Sequence, residues 1–282
     1  MACVPKPNQS IGCCVRRADI VTRKKKARGR KADKKQADLF DQPARKSRGW
    51  RWLITWLLVL GAVGFLAVQA WYFARVILLV NNNPVQSAFM QARAKQLAVR
   101  RKPGVLRHRW VSYAAIAEPL KKAVLVAEDA RFVEHFGIDW RAIQRAWLIN
   151  LERDSISFGG STITMQLAKN LFLSGQRSYW RKSQEVLIAL MLESALSKER
   201  IFELYLNLAQ WGGNVFGAQA AARYYFQVNA SALTLNQASR LAAMLPRPAH
   251  YDRHRGSDWL ARRAKIIAAD TPNVRLPETG AW

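Results

Sequence analysis

Residues 52–74, WLITWLLVLGAVGFLAVQAWYFA, run for 23 positions without a charge. At about 1.5 Å per residue, a helix of that length spans about 35 Å, enough to cross the hydrocarbon core of a bilayer with some tilt. Backbone polar groups in lipid have no water to bond, so a run of this kind can only be a helix. Trp50, Trp52 and Trp56 flank one end, and Trp71 and Tyr72 the other, as in the aromatic belts of membrane helices. The sequence therefore predicts one transmembrane helix over 52–74. A cleaved signal peptide has a shorter apolar stretch and a less extended basic region before it.

Charge orients this helix. Residues 1–51 hold 16 Lys and Arg against 4 Asp, among them RKKKARGRKADKK at 23–35, and account for +12 of the formal +26. The positive-inside rule puts that end in the cytoplasm and the chain beyond about residue 80 outside. The tail over 1–51 is Lys-rich, contains Pro and has almost no aromatics, so it reads as disordered. Attraction to anionic lipid explains its charge, and no nucleic-acid reading motif accompanies it. All three cysteines (Cys3, Cys13, Cys14) precede the apolar run, so the outer part has no disulfide framework or Cys-based metal site. His108, His135, His250 and His254 lack the spacing of a metal motif, and no metal ligands are assigned.

The sequence NNNP at 81–84 opens a connector over 75–110. A mainly α domain is expected over 111–255, followed by an extension over 256–282. Helical periodicity and caps place helices at 85–99, 116–130, 139–151, from Ser161 or Thr162 to about 173, 179–196, from Ser197 to about 209, 217–226 and 236–245.

Three constellations carry chemistry. Glu128 ends an apolar helix in AVLVAEDARF, where desolvation would raise its pKa toward values useful in proton transfer. The segment GGSTITMQLAKN (159–170) has glycines that allow close approach of a ligand, the hydroxyls of Ser161, Thr162 and Thr164, and a helix start that favours anions, with Lys169 further along. It lacks the P-loop spacing. The run Arg181-Lys182-Ser183-Gln184-Glu185 places a carboxylate three and four residues from two cations, which keeps it ionised. Two carboxylates in unlike settings beside an anion site suit a sugar whose leaving group is a phosphate or pyrophosphate, and the neighbouring anchor suits a lipid-linked one.

At these residues the chain resembles the peptidoglycan glycosyltransferases, glycosyltransferase family 51, which share their catalytic domain with class A penicillin-binding proteins. The resemblance runs from about Tyr113 to Tyr251 through AEDARFVEHFGID, GGSTITMQLAKN, RKSQEVLIALMLE, SKERIFELYLN and GGNVFGAQAAARYYF. It implies a lysozyme-like bilobal α fold, with lipid II as the substrate and β-1,4-linked glycan as the product. Glu128 would be the base that deprotonates the acceptor hydroxyl, and Glu185 the second carboxylate, holding the basic cluster or a divalent cation (Mg or Mn). Ser161, Thr162, Gln166, Lys169 and Asn170 would line the donor and pyrophosphate site, with Arg181 and Lys182 steadying the departing pyrophosphate. Asp129 and His135 would shape the loop between them.

The family's first glutamine in GGSTITQQ is here Met165, which is expected to pack inward and leave the ligand contact to Gln166. Segment 140–158, with Trp140, Trp147, Leu148, Ile149 and Phe158, is matched equally well by a membrane-embedded portion and by ordinary core packing. No serine is followed by Lys three positions later and KTG is absent, so a monofunctional enzyme without a transpeptidase domain is expected. The competing readings are a membrane-anchored lytic enzyme, which needs no pyrophosphate clamp, and a non-catalytic cell-wall scaffold. The resemblance leaves cell-division or elongation proteins as partners open, and an inner-membrane, single-pass location follows from the anchor.

Overall fold

The computed structural model describes residues 48–99, 105–152, 159–173 and 178–278. Residues 1–47 of the basic tail, part of the connector and Phe158 lie outside them. The apolar run sits inside one continuous helix, α1, Arg48–Ile77. Its stretch Trp50–Ile77 has a mean hydropathy of 2.1 and is the one described helix long and apolar enough to cross a membrane.

The chain divides into two units, Met1–Gly64 and Phe65–Trp282. In the first, the described residues are the N-terminal turns of α1. There Thr55 returns its hydroxyl to the carbonyl of Arg51 at 2.8 Å, which satisfies the group within the helix.

The second unit holds the C-terminal turns of α1 and a mainly helical domain, as the sequence predicts. Its helices are α2 (Ala88–Val99), α3 (Glu118–Glu128), α4 (Trp140–Glu152), α5 (Ile163–Phe172), α6 (Tyr179–Ala195), α7 (Lys198–Leu208), α8 (Ala218–Phe226), α9 (Leu235–Met244), the short α10 (Pro248–Tyr251) and α11 (Asp258–Asp270). Local chemistry sets their starts. Pro119 occupies the first turn of α3, where its missing N–H has no partner to lose. Thr162, Ser178 and Ser197 accept backbone N–H groups at the starts of α5, α6 and α7, each cap contributing about 1 kcal/mol. Thr234 and Gln237 form a reciprocal capping box on α9.

α5 is the centre of one group of helices: it packs on α2, α6 and α7 and buries Ile163, Leu167, Ala168 and Leu171. α3 and α9 pack together, and α11 lies against both. This last contact corrects the expected domain end at residue 255. α9 presents Ala238, Leu241 and Ala242, all fully buried, and α11 covers that side with Leu260 and Ile267, also fully buried. The segment 256–278 therefore completes the core. The 75–110 connector likewise contains a packed helix, α2, with Met90 and Leu97 buried.

Two short strands, β1 (Arg107–His108) and β2 (Val215–Phe216), pair in parallel. The segment after β1 is fixed by Asn207, fully buried at the end of α7. Its side chain accepts the Val111 N–H at 3.0 Å and donates to the carbonyls of Val111 and Glu203, each at 2.9 Å. Its own carbonyl meets His108 Nε2 at 3.1 Å. Gly217, between β2 and α8, crosses this carbonyl at φ +82°, and a Cβ there would lie 2.7 Å from the Asn207 oxygen. Gly217→Ala should therefore destabilise the protein by about 3 kcal/mol, from backbone strain together with the clash. Thermal and denaturant unfolding in detergent would measure it, and a change below about 0.5 kcal/mol, the size of an ordinary surface substitution, would refute the account.

Candidate active site

α3 ends at Glu128 because Asp129 leaves helical geometry at φ −163°, ψ 74°. The loop that follows is fastened by its own polar groups. Asp129 Oδ2 accepts the Ile163 N–H at 3.1 Å, at the first residue of α5. Both Asp129 oxygens meet His135 Nε2, at 3.0 and 3.1 Å. Asp139 pairs with Arg131 and accepts the Ala142 N–H at 2.8 Å, capping α4. The Thr162 hydroxyl donates to the Gly137 carbonyl at 2.6 Å. Lys198 donates to the His135 carbonyl at 2.6 Å and to Glu193 at 2.9 Å, and Glu193 also accepts the Thr164 hydroxyl at 2.6 Å. The loop, α5, α6 and α7 are thereby joined by side chains.

Glu128 projects into this frame half-buried. Gln166 Nε2 donates to Glu128 Oε2 at 2.7 Å, and the other end of the same amide accepts the buried Tyr205 hydroxyl at 3.2 Å. Tyr205 can donate only to the amide oxygen, so it fixes the orientation of Gln166 and aims the NH₂ at the carboxylate. Burial raises the Glu128 pKa. The Gln166 hydrogen bond and then the charges of Arg263 and Lys169 pull it back, and the net direction remains upward.

Gln166, Lys169 and Asn170 stand at i, i+3 and i+4, on one face of α5. These three are half-buried, whereas Ile163, Thr164, Leu167 and Ala168 are buried. Met165 is 2% exposed, so it packs inward as expected and the polar contact falls to Gln166. Thr162 is also 2% exposed, with its hydroxyl used by Gly137 and by the Met165 N–H. The Thr162 hydroxyl thus serves the turn, and Ser161 offers the neighbouring hydroxyl.

Ser161 accepts from Lys182 Nζ at 2.7 Å, which links the Gly-rich turn to α6. Lys182 also donates to Glu185 Oε2 at 3.0 Å, while Arg181 pairs with Glu185 Oε1. The pKa of Lys182 is lowered, first by burial and then by the charges of Lys169 and Arg181. Among the described residues, Lys169, Arg181 and Lys182 thus form one electropositive group about the buried carboxylate of Glu185. An anion with several oxygens would relieve that repulsion.

A cavity of about 160 Å³ is lined by Glu128, Asp129, Arg145, Gly160, Ser161 and their neighbours. Gly160 is required here by close approach, since a Cβ would lie 2.8 Å from the Ile143 backbone of α4. A larger cavity, about 950 Å³, lies beside Phe136, Glu193, Lys198 and Leu276 and does not include Glu128. Asp129, His135 and Asp139 have donor atoms within 4.8 Å of one another. Both carboxylates already accept from protein donors, a poor fit for a resident cation.

Sequence reasoning missed Arg263 and Tyr205. Tyr205 lies in the block SKERIFELYLN, to which no chemical role was given, and Arg263 lies outside the blocks. Arg263 belongs to α11, beyond the expected domain end, and acts on Glu128 only through tertiary packing.

Comparison with known proteins gives the family of the chain. The family model described as Transglycosylase matches residues 95–271. A biosynthetic peptidoglycan transglycosylase of Laribacter hongkongensis (strain HLHK9) is 47% identical over 227 residues, 80% of this chain and 99% of the relative. Proteins of the same description are 46% identical in Janthinobacterium sp. (strain Marseille), over 80% of this chain and 98% of theirs, and 48% identical in Methylobacillus flagellatus, over 78% and 96%.

The Gln166–Glu128 contact yields a test independent of any activity. A donor to the carboxylate favours its ionised form, so removing that donor must raise the pKa further. Gln166→Met, similar in volume and without a donor, should move the Glu128 carboxyl titration upward by about one unit. Carboxyl-resolved NMR or infrared titration against a Glu128→Gln control measures this shift. A shift downward, or none, would remove Gln166 from the account.

Proposed function

The chain belongs to the transglycosylase family, and from that premise we propose that it polymerises lipid II into β-1,4-linked glycan strands in bacterial cell-wall synthesis. The observation that carries this reading is the pairing of two unlike carboxylate settings. Glu128 is held by a neutral amide and has a raised pKa. Glu185 is held between Arg181 and Lys182, which is in turn bonded to Ser161.

In the proposed reaction, Glu128 accepts the proton of the acceptor 4-hydroxyl as that oxygen attacks the anomeric carbon of the donor. The new O4–C1 bond forms as the C1–O bond to phosphate breaks, and the electron pair leaves with undecaprenyl pyrophosphate. In-line attack turns an α-linked donor into a β product. Lys169, Arg181 and Lys182 stabilise the charge that develops on the leaving group, with Glu185 holding the last two in place. Ser161 and Asn170 complete the donor side. The chemistry requires no organic cofactor, because the donor carries its own leaving group. A divalent cation, Mg or Mn, would have to displace Arg181 or Lys182 from Glu185. The lytic alternative is disfavoured because cleavage by water leaves this cation group without a task.

We further propose that α1 anchors the protein in the inner membrane, with the basic N-terminal side in the cytoplasm and the domain outside. α4 supports a close approach of the domain to lipid. It has no buried residue, and Trp140, Trp147, Leu148 and Leu151 are 70%, 62%, 47% and 60% exposed. Core packing, the alternative reading of this segment, would have buried them. An exposed apolar stripe with Arg141 and Arg145 on the same helix suits a bilayer interface.

Two outcomes are expected. Glu128→Gln, in detergent with labelled lipid II, should lower glycan polymer formation by about 10³-fold or more. In the wild type, the rate should rise with pH through the Glu128 titration, above the ordinary glutamate range, because the base must be ionised. A variant with near-normal polymerisation would refute the base assignment. Separately, Trp140→Ala with Trp147→Ala should release a soluble form of the domain, cut after α1, from anionic liposomes by at least about tenfold in partition coefficient. Unchanged flotation would return α4 to ordinary solvent exposure.

A further inference from the structure

α1 carries one side-chain amide within its apolar span, Gln69. The helix end at Ile77 lies eight positions further on, about 12 Å along the helix. Unlike Thr55, it does not satisfy itself within the helix. Gln69 Nε2 donates to Gln184 Oε1 of α6 at 3.2 Å, and Gln69 Oε1 is buried without a partner. Leucine at 69 would lie in this span without an unpaired oxygen. Amides in apolar helix interfaces act as register devices, fixing rotation and height at some expense of stability.

The contacts around this pair point the same way. Phe65, Gln69, Tyr72 and Val76 stand at i, i+4, i+7 and i+11, one face of α1. Phe65 meets Trp180 of α6 edge-on at 6.3 Å between centroids, and Tyr72 meets Phe172 of α5 at 5.9 Å. The Arg75 guanidinium lies 5.8 Å over the same Phe172 ring, and Val76 is fully buried. This one face therefore holds both helices that carry the cations. Phe172 is three residues from Lys169 on α5, and Gln184 is adjacent to Glu185 on α6, within the turn that bears Arg181 and Lys182.

We propose that Gln69 is a positioning residue for the pyrophosphate-binding cations: its bond to Gln184 sets the height and rotation of α6 against the anchor, making the outer turns of α1 a wall of the donor site. The inference rests on the transglycosylase reading above, which gives the cations their leaving group. A helix that only tethers would work equally well with leucine at 69. One that positions the cluster would lose transition-state stabilisation while the substrate still binds.

The test uses full-length protein in liposomes with lipid II, comparing wild type, Gln69→Leu, Gln184→Leu, the double variant and Leu66→Ala, a lipid-facing control 63% exposed. Gln69→Leu and Gln184→Leu should each lower kcat about tenfold with KM within about twofold, and the double variant should be no worse than either single one. Melting temperature and membrane insertion should match the control. Gln69→Leu indistinguishable from Leu66→Ala, losses that multiply in the double variant, or a change in KM alone would each overturn the proposal.

Binding of inorganic pyrophosphate, read by calorimetry on the same proteins, separates this inference from its premise. If wild type makes no polymer, the functional reading fails. The positioning role then stands or falls on whether Gln69→Leu weakens pyrophosphate binding about tenfold.

Discussion

The bond from the Ile163 N–H to Asp129 Oδ2 is the contact on which the rest of the site depends. It joins the end of α3 to the start of α5, two segments separated by 34 positions in sequence. Once Ile163 is fixed beside Asp129, Gln166 follows three residues along α5 and comes within 2.7 Å of Glu128, the neighbour of Asp129. A single carboxylate thus caps a helix and sets the partner of the proposed base. His135 holds that carboxylate from the other side, and Lys198 holds the His135 carbonyl, so the loop cannot turn without breaking several bonds. Preorganisation of this kind costs no rearrangement during reaction.

The two glutamates of the candidate site show how one residue type meets two electrostatic settings. Glu185 is 4% exposed and has a cation on each oxygen, Arg181 on one and Lys182 on the other. Glu128 has a neutral donor on one oxygen and feels Arg263 and Lys169 only at a distance. Burial can therefore raise its pKa, and it remains able to exchange a proton. The difference arises from neighbours on α5, α6 and α11, brought together by the packing of the helices.

Local elements were legible in the sequence because their causes are local. Thr162 and Ser197 mark helix starts by side-chain capping, and the inward packing of Met165 follows from helical rotation relative to Gln166. The motif residues Glu128, Gln166, Lys169, Arg181, Lys182 and Glu185 were legible through resemblance, and the fold puts them in one electrostatic group. Contacts fixed by tertiary packing were not legible. α11 lacks a capping side-chain bond, and its role as a cover for α9 depends on a surface that the sequence does not display. Arg263 was lost with it. The bond of the Thr162 hydroxyl within the turn was not legible either, because it depends on where the Gly137 carbonyl lies.

A base in a glycosyl transfer faces opposing demands. A higher pKa strengthens proton abstraction, and it also lowers the ionised fraction at a given pH. Burial of Glu128 acts in the first direction; the Gln166 donor and the charges of Lys169 and Arg263 act in the second. Lys169 belongs to both sides of the site, since its charge also lowers the pKa of Lys182. The cation group and the proposed base are therefore one electrostatic system, with Lys169 as the residue they share.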